Sequence, residues 1–109
     1  MNIVEQGAEY AKRDIYNLTK SPKIEKMSNH VGEKLSVDKY LIYEDGDNRE
    51  TPIQILSIQS GELVVATNSA TAIKEFIGIR DLMEDEPFSV EIMTGNSKNG
   101  RTYLTLALA

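Results

Sequence analysis

The 109-residue sequence contains no cysteine and no tryptophan, and it has a single histidine, His30. Without cysteine there is no disulfide and no thiolate metal site, which is typical of a protein from a reducing cytoplasm. No apolar run approaches the length of about 18 residues that a membrane-spanning helix needs. Acids at Glu5 and Glu9 stand where a secretory signal would have its apolar segment, so export is not expected.

Recognisable catalytic motifs are also missing. The chain has no glycine-rich phosphate-binding motif and no G-x-S-x-G nucleophile motif. His30 lies between Asn29 and Val31 and has no cysteine that it could activate. The acidic runs lack the ligand spacing of a calcium-binding loop. We therefore predict a protein that binds rather than catalyses, and that needs neither a metal nor a cofactor.

Charge is distributed unevenly along the chain. The formal net charge is −5, yet residues 1–39 hold seven Lys and Arg against six Asp and Glu. Residues 40–95 hold three cations against eleven acids, and residues 96–109 hold two cations and no acid. Binding to a polyanion depends on a local basic stripe and not on the total charge. The acidic middle of the chain instead suits docking on another protein.

Apolar residues near the N-terminus follow helical spacing. They recur at i, i+4, i+7, i+11 and i+14 within residues 2–19, which predicts one amphipathic helix. The stripe consists of Val4, Ala8, Ala11, Ile15 and Leu18. We favour packing of this stripe on its own domain, and the alternative is pairing with another subunit. Residues 1–31 are assigned to the helix and a lead-in, and residues 32–109 to the main domain, in one compact unit.

The main domain is predicted to contain five strands and one helix. Strands are expected over 34–44, 52–59, 62–67, 88–94 and 101–108, with a helix over 69–82. Both phases of the first strand become apolar in its second half, which indicates a bent strand serving two sheet faces. This order predicts a mainly β fold, the five-stranded Greek-key OB barrel, preceded by the N-terminal helix. An SH3-like barrel lacks a full helix at this point.

The last two strands form the best-defined element. Apolar residues alternate along both strands, and Gly95 and Gly100 bracket a polar loop that favours a turn. Lys98 lies in this loop, and Arg101 and Tyr103 follow it on the non-core side of the strand. A ring and two cations on one exposed hairpin suit nucleic acid. A solubilising turn with a surface tyrosine has the same composition.

Proteins that bind single strands without sequence preference combine cations with aromatic rings on which bases stack. In an OB fold the loops between strands 1 and 2 and between strands 4 and 5 border the binding groove. These loops correspond to residues 44–50 and 95–100. The candidate contacts are Lys39, Tyr40, Tyr43, Arg49, Lys98, Arg101 and Tyr103. The basic segment within residues 12–26 is a second candidate for phosphate contacts.

Three segments carry a family resemblance. GEKLSV, ATNSATAIKEF and PFSVEIMTGNSKNGRTYLTLAL make the chain from Gly32 onward resemble the small single-stranded DNA-binding proteins of bacteriophages. The resemblance implies an OB fold whose last hairpin presents Lys98, Arg101 and Tyr103 to DNA. It also implies a protein that coats strands exposed in phage replication or recombination, in the cytoplasm of a bacterial host. Residues 1–31 lie outside the resemblance.

The sequence thus predicts a non-enzymatic protein that binds single-stranded DNA. Its further expected partners are a second copy of itself, with a dimer favoured, and replication proteins, but no membrane. The alternative from another class is a protein-interaction module, a phage factor that docks on a host or replication protein through its acidic surface.

Overall fold

The computed structural model describes residues 1–46 and 52–109, which form a mainly β fold with two α-helices. The helices are α1 (Lys12–Thr19) and α2 (Ala70–Met83), and a 3₁₀ turn covers Met27–His30. The strands are β1 (Asn2–Gln6), β2 (Glu25–Lys26), β3 (Lys34–Ser36), β4 (Lys39–Asp45), β5 (Ile53–Ser60), β6 (Leu63–Thr67), β7 (Ser89–Asn96) and β8 (Thr102–Leu108). None of the described helices is long and apolar enough to cross a membrane.

The strands form two sheets that share one bent segment. The larger sheet has the order β1-β4-β5-β6-β2, and the smaller has the order β3-β7-β8. The chain passes from the smaller to the larger sheet at Val37 and Asp38. The Val37 N–H donates to the carbonyl of Phe88 at 3.0 Å, whereas the Asp38 N–H donates to the carbonyl of Gln59 at 2.9 Å. The single strand predicted over 34–44 is divided into β3 and β4, and the chain changes sheets at this division.

Both faces of the larger sheet are buried, which explains the apolar residues in both phases of β4 and β5. One face packs against α2 and the smaller sheet around Phe76, which is fully buried. The opposite face, containing Leu41 and Tyr43, packs against Leu18 of α1. Helix α2 begins where the sequence predicted, because the Ser69 hydroxyl caps it by accepting the Ala72 N–H at 3.2 Å.

The predicted helix over 2–19 is wrong in its first half. Residues 2–6 form β1, which pairs antiparallel with β4, and the register shifts between Ile3 and Glu5. The free edge of β4 satisfies the backbone groups of these residues, and this non-local pairing overrides helical spacing. The helix begins only at Lys12.

The predicted stripe for subunit pairing is therefore not formed on one helix. Val4 lies on β1 and is 41% exposed, and Ala8 and Ala11 are exposed before the helix starts. Only Ile15 and Leu18 belong to α1, and Leu18 is fully buried against the chain's own sheet. This is the packing on its own domain that the sequence analysis favoured. Formation of a dimer stays a prediction.

A closed barrel is also wrong for the described part of the chain. Closure would require β6 to pair with β8, but the outer edge of β6 is paired with β2, which runs parallel to it. Helix α2 packs against β8 instead, and the Ser69 hydroxyl donates to the Leu104 carbonyl at 3.0 Å. Strand β2, which belongs to the segment predicted to lie outside the main domain, thus occupies the edge of β6 that would pair with β8 in a closed barrel.

His30 ties this N-terminal segment to the smaller sheet. Its Nε2 lies 3.0 Å from Glu25 Oε1 on β2, and its Nδ1 lies 2.8 Å from Glu33 Oε2 just before β3. Only 14% of the imidazole is exposed. The hydrogen bond to Glu25 raises the pKa of His30 above 6.5, with a further contribution from Glu33, although burial opposes the shift. Protonated imidazole donates from both nitrogens and so can bond to both carboxylates at once.

We expect His30 to make the stability of the protein pH-dependent. Because its folded pKa is raised, its stabilising contribution is complete below 6.5 and is lost as the pH rises through the folded pKa. The difference in urea midpoint between the wild type and His30→Gln should therefore be larger at about pH 5.5 than at about pH 9. Glu25→Gln is the matched control and should show a reduced pH dependence. A difference that grows toward high pH would contradict this role.

Candidate nucleic-acid interface

The turn between β7 and β8 fixes the hairpin that the sequence analysis singled out. The Gly100 N–H donates to the Ser97 carbonyl at 3.0 Å, and Gly100 has a φ of +78°, which favours glycine. The Ser97 N–H in turn donates to the Arg101 carbonyl at 2.8 Å. Lys98 therefore occupies the tip of a hydrogen-bonded turn, and Arg101 immediately precedes β8.

Arg101 and Tyr103 lie on the same face of the hairpin. They are two residues apart in an extended segment, and side chains of a strand repeat with period two. Val90, Ile92 and Leu106, in the opposite phase, are buried in the core. The outer phase of β7 and β8 therefore faces away from the core.

The ring of Tyr103 packs over the backbone of Gly95. These two residues are cross-strand partners, and a Cβ added to Gly95 would lie 2.5 Å from the Tyr103 Cζ. The ring fills the space that a side chain at position 95 would take, an arrangement that stabilises glycine within a sheet. It remains 39% exposed, so its outer surface is accessible.

The cations of the hairpin are available to an anion. Lys98 and Arg101 are exposed, and neither makes an ion pair within the described residues. No acid occurs in the sequence from Ile92 to Ala109. The hairpin end therefore carries two exposed cations and one exposed ring, and Lys98, Arg101 and Tyr103 all belong to it.

The other predicted contacts do not join this surface. Lys39 and Tyr40 line a different feature, a cleft of about 1030 Å³ between the start of β4, the C-terminal end of α2 and the segment after it. Lys39 Nζ is engaged by Asp14 Oδ1 at 2.8 Å. The Tyr40 ring is half-buried, with its centroid 4.9 Å from that of Phe76 in an edge-to-face contact.

Acids dominate the rim of this cleft. Its lining includes Asp38, Asp81, Glu84, Asp85 and Glu86. Of the two cations in the lining, Lys39 is paired as above, and Arg80 contacts Glu5 at 2.9 Å and Asp81 at 2.8 Å. The cleft is consequently negative and unsuited to a phosphate backbone.

Tyr43 and Arg49 complete the predicted set. Tyr43 is only 5% exposed and packs in the second core, so its prediction as an exposed stacking ring is wrong. Strand alternation directs Tyr43 to the face covered by α1, and burial raises the pKa of its phenol. Arg49 lies outside the described residues.

Arg80 is not among the functional residues predicted from the sequence. Its guanidinium carbon lies 5.9 Å from the centroid of the Tyr40 ring, and its ion pairs connect β1 to α2. The helical spacing of α2 places Arg80 on the apolar face, which is a usable signal for a cation that is itself largely buried and paired within the fold. Among the described residues, no cluster of three or more His, Asp or Glu could hold a metal ion.

Comparisons with protein-family models, with curated proteins and with solved structures found no match to this chain. The function is therefore inferred from the positions and contacts of the chain's own residues.

We expect Gly95→Ala to displace the Tyr103 ring without unfolding the protein. The added methyl meets only the far end of a side chain that can rotate, so the cost should be about 0.2–1 kcal/mol, the size of a cross-strand contact. The ring displacement should appear as lost contacts between Tyr103 ring protons and residue 95 in NMR spectra.

Gly78→Ala is the matched control for this substitution. Gly78 lies in the middle of α2, with open space around the position of a Cβ, so alanine should stabilise the protein by about 0.5–1 kcal/mol. Urea midpoints that shift in the same direction for both variants would contradict the packing described for Tyr103.

Proposed function

We propose that this protein binds single-stranded DNA without sequence preference through the β7–β8 hairpin. The observation that carries the proposal is the Tyr103 ring held over Gly95, on a hairpin whose Lys98 and Arg101 make no ion pair within the described residues. A base can stack on the exposed surface of the ring while the two cations neutralise neighbouring phosphates. Such a protein would coat strands exposed during replication or recombination, in keeping with the resemblance to phage proteins.

The order and pairing of strands β3 to β8 support this proposal. The bent β3–β4 segment pairs with β5 at one end and with β7 at the other, β6 follows β5, and α2 lies between β6 and β7 in sequence. We infer an OB barrel left open between β6 and β8. In that fold the turn between the last two strands borders the oligonucleotide groove.

Helix α1 covers the other surface on which an OB fold could bind DNA, which leaves the hairpin as the proposed contact. OB folds also use the outer face of their second and third strands, which correspond here to β5 and β6. That face is covered in this protein, because Leu18 packs against Val64 of β6 and Leu41 of β4. A strand of DNA therefore cannot lie on the sheet surface beneath α1, and the exposed hairpin remains.

We expect Tyr103→Ala to weaken binding of an oligo-dT ligand by about 1–3 kcal/mol, because one base stack is lost. Tyr103→Phe keeps the ring and should bind nearly as the wild type does.

Lys98→Ala combined with Arg101→Ala should reduce the salt dependence, changing the log–log slope by about 1.4 for two phosphate contacts. Fluorescence anisotropy of a labelled oligonucleotide over a salt series measures all three variants.

Lys74→Ala is the charge control for these variants. Lys74 is exposed on α2 and makes no ion pair within the described residues, so its removal should leave affinity and salt slope unchanged. Equal effects of Lys74→Ala and Arg101→Ala would show that only net charge matters, and the hairpin would then not be the site.

The acid-rimmed cleft favours a second candidate function, docking of a basic protein segment. Tyr10, Tyr40 and Phe88 line the cleft, and four rim carboxylates, those of Asp38, Glu84, Asp85 and Glu86, make no ion pair with any described residue. Aromatic faces and carboxylates together suit an arginine or lysine side chain. Glu84 supports this use, because it keeps a charged side chain at a φ of +55°, where glycine is normally favoured.

Glu84→Gly should change stability and binding in opposite directions, raising the stability of the protein and lowering the affinity of this cleft for a basic peptide. Relief of the backbone conformation should stabilise the protein by about 1 kcal/mol, since Glu84 ends α2 at a position where glycine is preferred. Loss of a rim carboxylate should at the same time weaken binding of an arginine-rich peptide, measured by calorimetry at low salt. Unchanged peptide affinity, or no peptide binding by the wild type, would remove this second candidate.

A further inference from the structure

The outward side of α1 carries the densest group of exposed cations in the described chain. Lys12, Arg13, Tyr16 and Lys20 are all exposed, and half of the Tyr16 surface is accessible. Positions 12 and 13 precede 16 by four and three residues on α1, and Lys20 caps the helix end with its N–H bonded to the Tyr16 carbonyl, so the four residues lie along one side of the helix. Tyr16 lies at the centre of this set, which we call the basic helix face.

The basic helix face is not neutralised by acids of the same chain. Lys12, Arg13 and Lys20 make no ion pair within the described residues, and the same holds for the exposed Lys23 and Lys26 that follow. The acids within this segment are engaged elsewhere. Asp14 holds Lys39 at 2.8 Å, and Glu25 contacts His30 at 3.0 Å. Glu9, ahead of the helix, is the nearest acid in sequence without an ion pair.

The fold holds this face in a fixed orientation. Leu18, on the opposite side of α1, is fully buried among Leu41, Tyr43 and Val64. The ion pair between Asp14 and Lys39 ties α1 to β4. Surfaces that serve only solubility usually mix charges of both signs, whereas this face is of one sign in a protein of net charge −5.

We propose that the basic helix face is a second binding site for single-stranded nucleic acid. Lys12, Arg13 and Lys20 contact backbone phosphates, and a base stacks on Tyr16. Lys12 and Lys20 are separated by about 12 Å along the helix axis, which allows them to contact different phosphates of one strand. The inference shares its ligand class with the proposed function, but it uses a different surface and can be tested separately.

A membrane surface fits this face less well. Helices that lie in the membrane interface insert an apolar side below the headgroups. The apolar side of α1 is already buried against the sheet through Leu18, and Tyr16 is the only large apolar side chain on the outward side. Stacking and phosphate contacts need no such insertion.

The test compares three sets of variants in oligo-dT anisotropy at several salt concentrations. The triple variant Lys12→Ala, Arg13→Ala, Lys20→Ala should bind about tenfold more weakly at low salt and lower the log–log salt slope by about 2, for three phosphate contacts. Tyr16→Ala should weaken binding by about 5- to 150-fold. Alanine is a strong helix former, so α1 should persist, which circular dichroism checks.

The matched control is the double variant Lys34→Ala, Lys74→Ala. Both lysines are exposed and make no ion pair within the described residues, so affinity should stay within about twofold of the wild type. A control that weakens binding as strongly as the α1 variants do would overturn the site. Binding of the wild type to anionic phosphatidylserine vesicles, abolished by Tyr16→Ala while oligo-dT binding is unaffected, would overturn it as well.

The α1 and hairpin variants distinguish this inference from the proposed function. Weaker binding in the α1 variants alone would support the basic helix face and remove the hairpin. Weaker binding in the Lys98, Arg101 and Tyr103 variants alone would leave the proposed function intact and overturn this inference. Reduced affinity in both sets supports two sites, and wild-type protein that binds no oligonucleotide at low salt overturns both proposals.

Discussion

Burial of both faces of the larger sheet is the constraint on which the remaining structure depends. Strands β4 and β5 carry apolar side chains in both phases, and neither face can be left in water. One face uses α2 and the smaller sheet. The other requires a separate cover, and α1 provides it through Leu18. The N-terminal segment is thus a structural part of the sheet and not an appendage to a complete barrel.

This constraint also determines where functional surfaces remain. The broad sheet surface is occupied on both sides, so the surfaces proposed for binding are the hairpin end, the outward side of α1 and the acid-rimmed cleft. Charge separates the three. The cations of the first two form no ion pair in the part of the chain that the structure describes, whereas the two cations of the cleft are paired with Asp14, Glu5 and Asp81. A polyanion and a basic protein segment would accordingly contact different parts of the molecule.

Local patterns in the sequence predicted the elements that are stabilised locally. The hairpin, the capped helix α2 and the bend within residues 34–44 follow from alternation, turn residues and two-phase apolarity. The pairing of β1 with β4 and of β2 with β6 could not be predicted in this way, because each depends on a free strand edge far away in sequence. Without those pairings, Val4 and Ala8 fit a helical stripe equally well, and a closed barrel is the simplest arrangement of the five later strands.

Dependence on distant packing also explains why Tyr103 was correctly predicted to be exposed and Tyr43 was not. Alternation shows that Tyr40 and Tyr43 lie on opposite faces of β4, but not which face is covered. Tyr43 proved to be the buried one because α1 lies over it. Tyr103 was predictable as an outward side chain because its own hairpin defines both faces. The exposure of Tyr16 could not be predicted, because it depends on where α1 begins and on which side of α1 packs against the sheet. Neither follows from the first twenty residues.

The two-residue strand β2 has a consequence for synthesis on the ribosome. Chains emerge from the N-terminus first, yet Asn2 pairs with Glu44, and Lys26 pairs with Ala66. Strand β1 can pair once β4 has been made, whereas β2 has to wait for β6. Nascent chains that end before β6 would lack both the partner of β2 and the helix α2 that covers one face of the larger sheet, and exposed apolar surface of this kind is prone to aggregation.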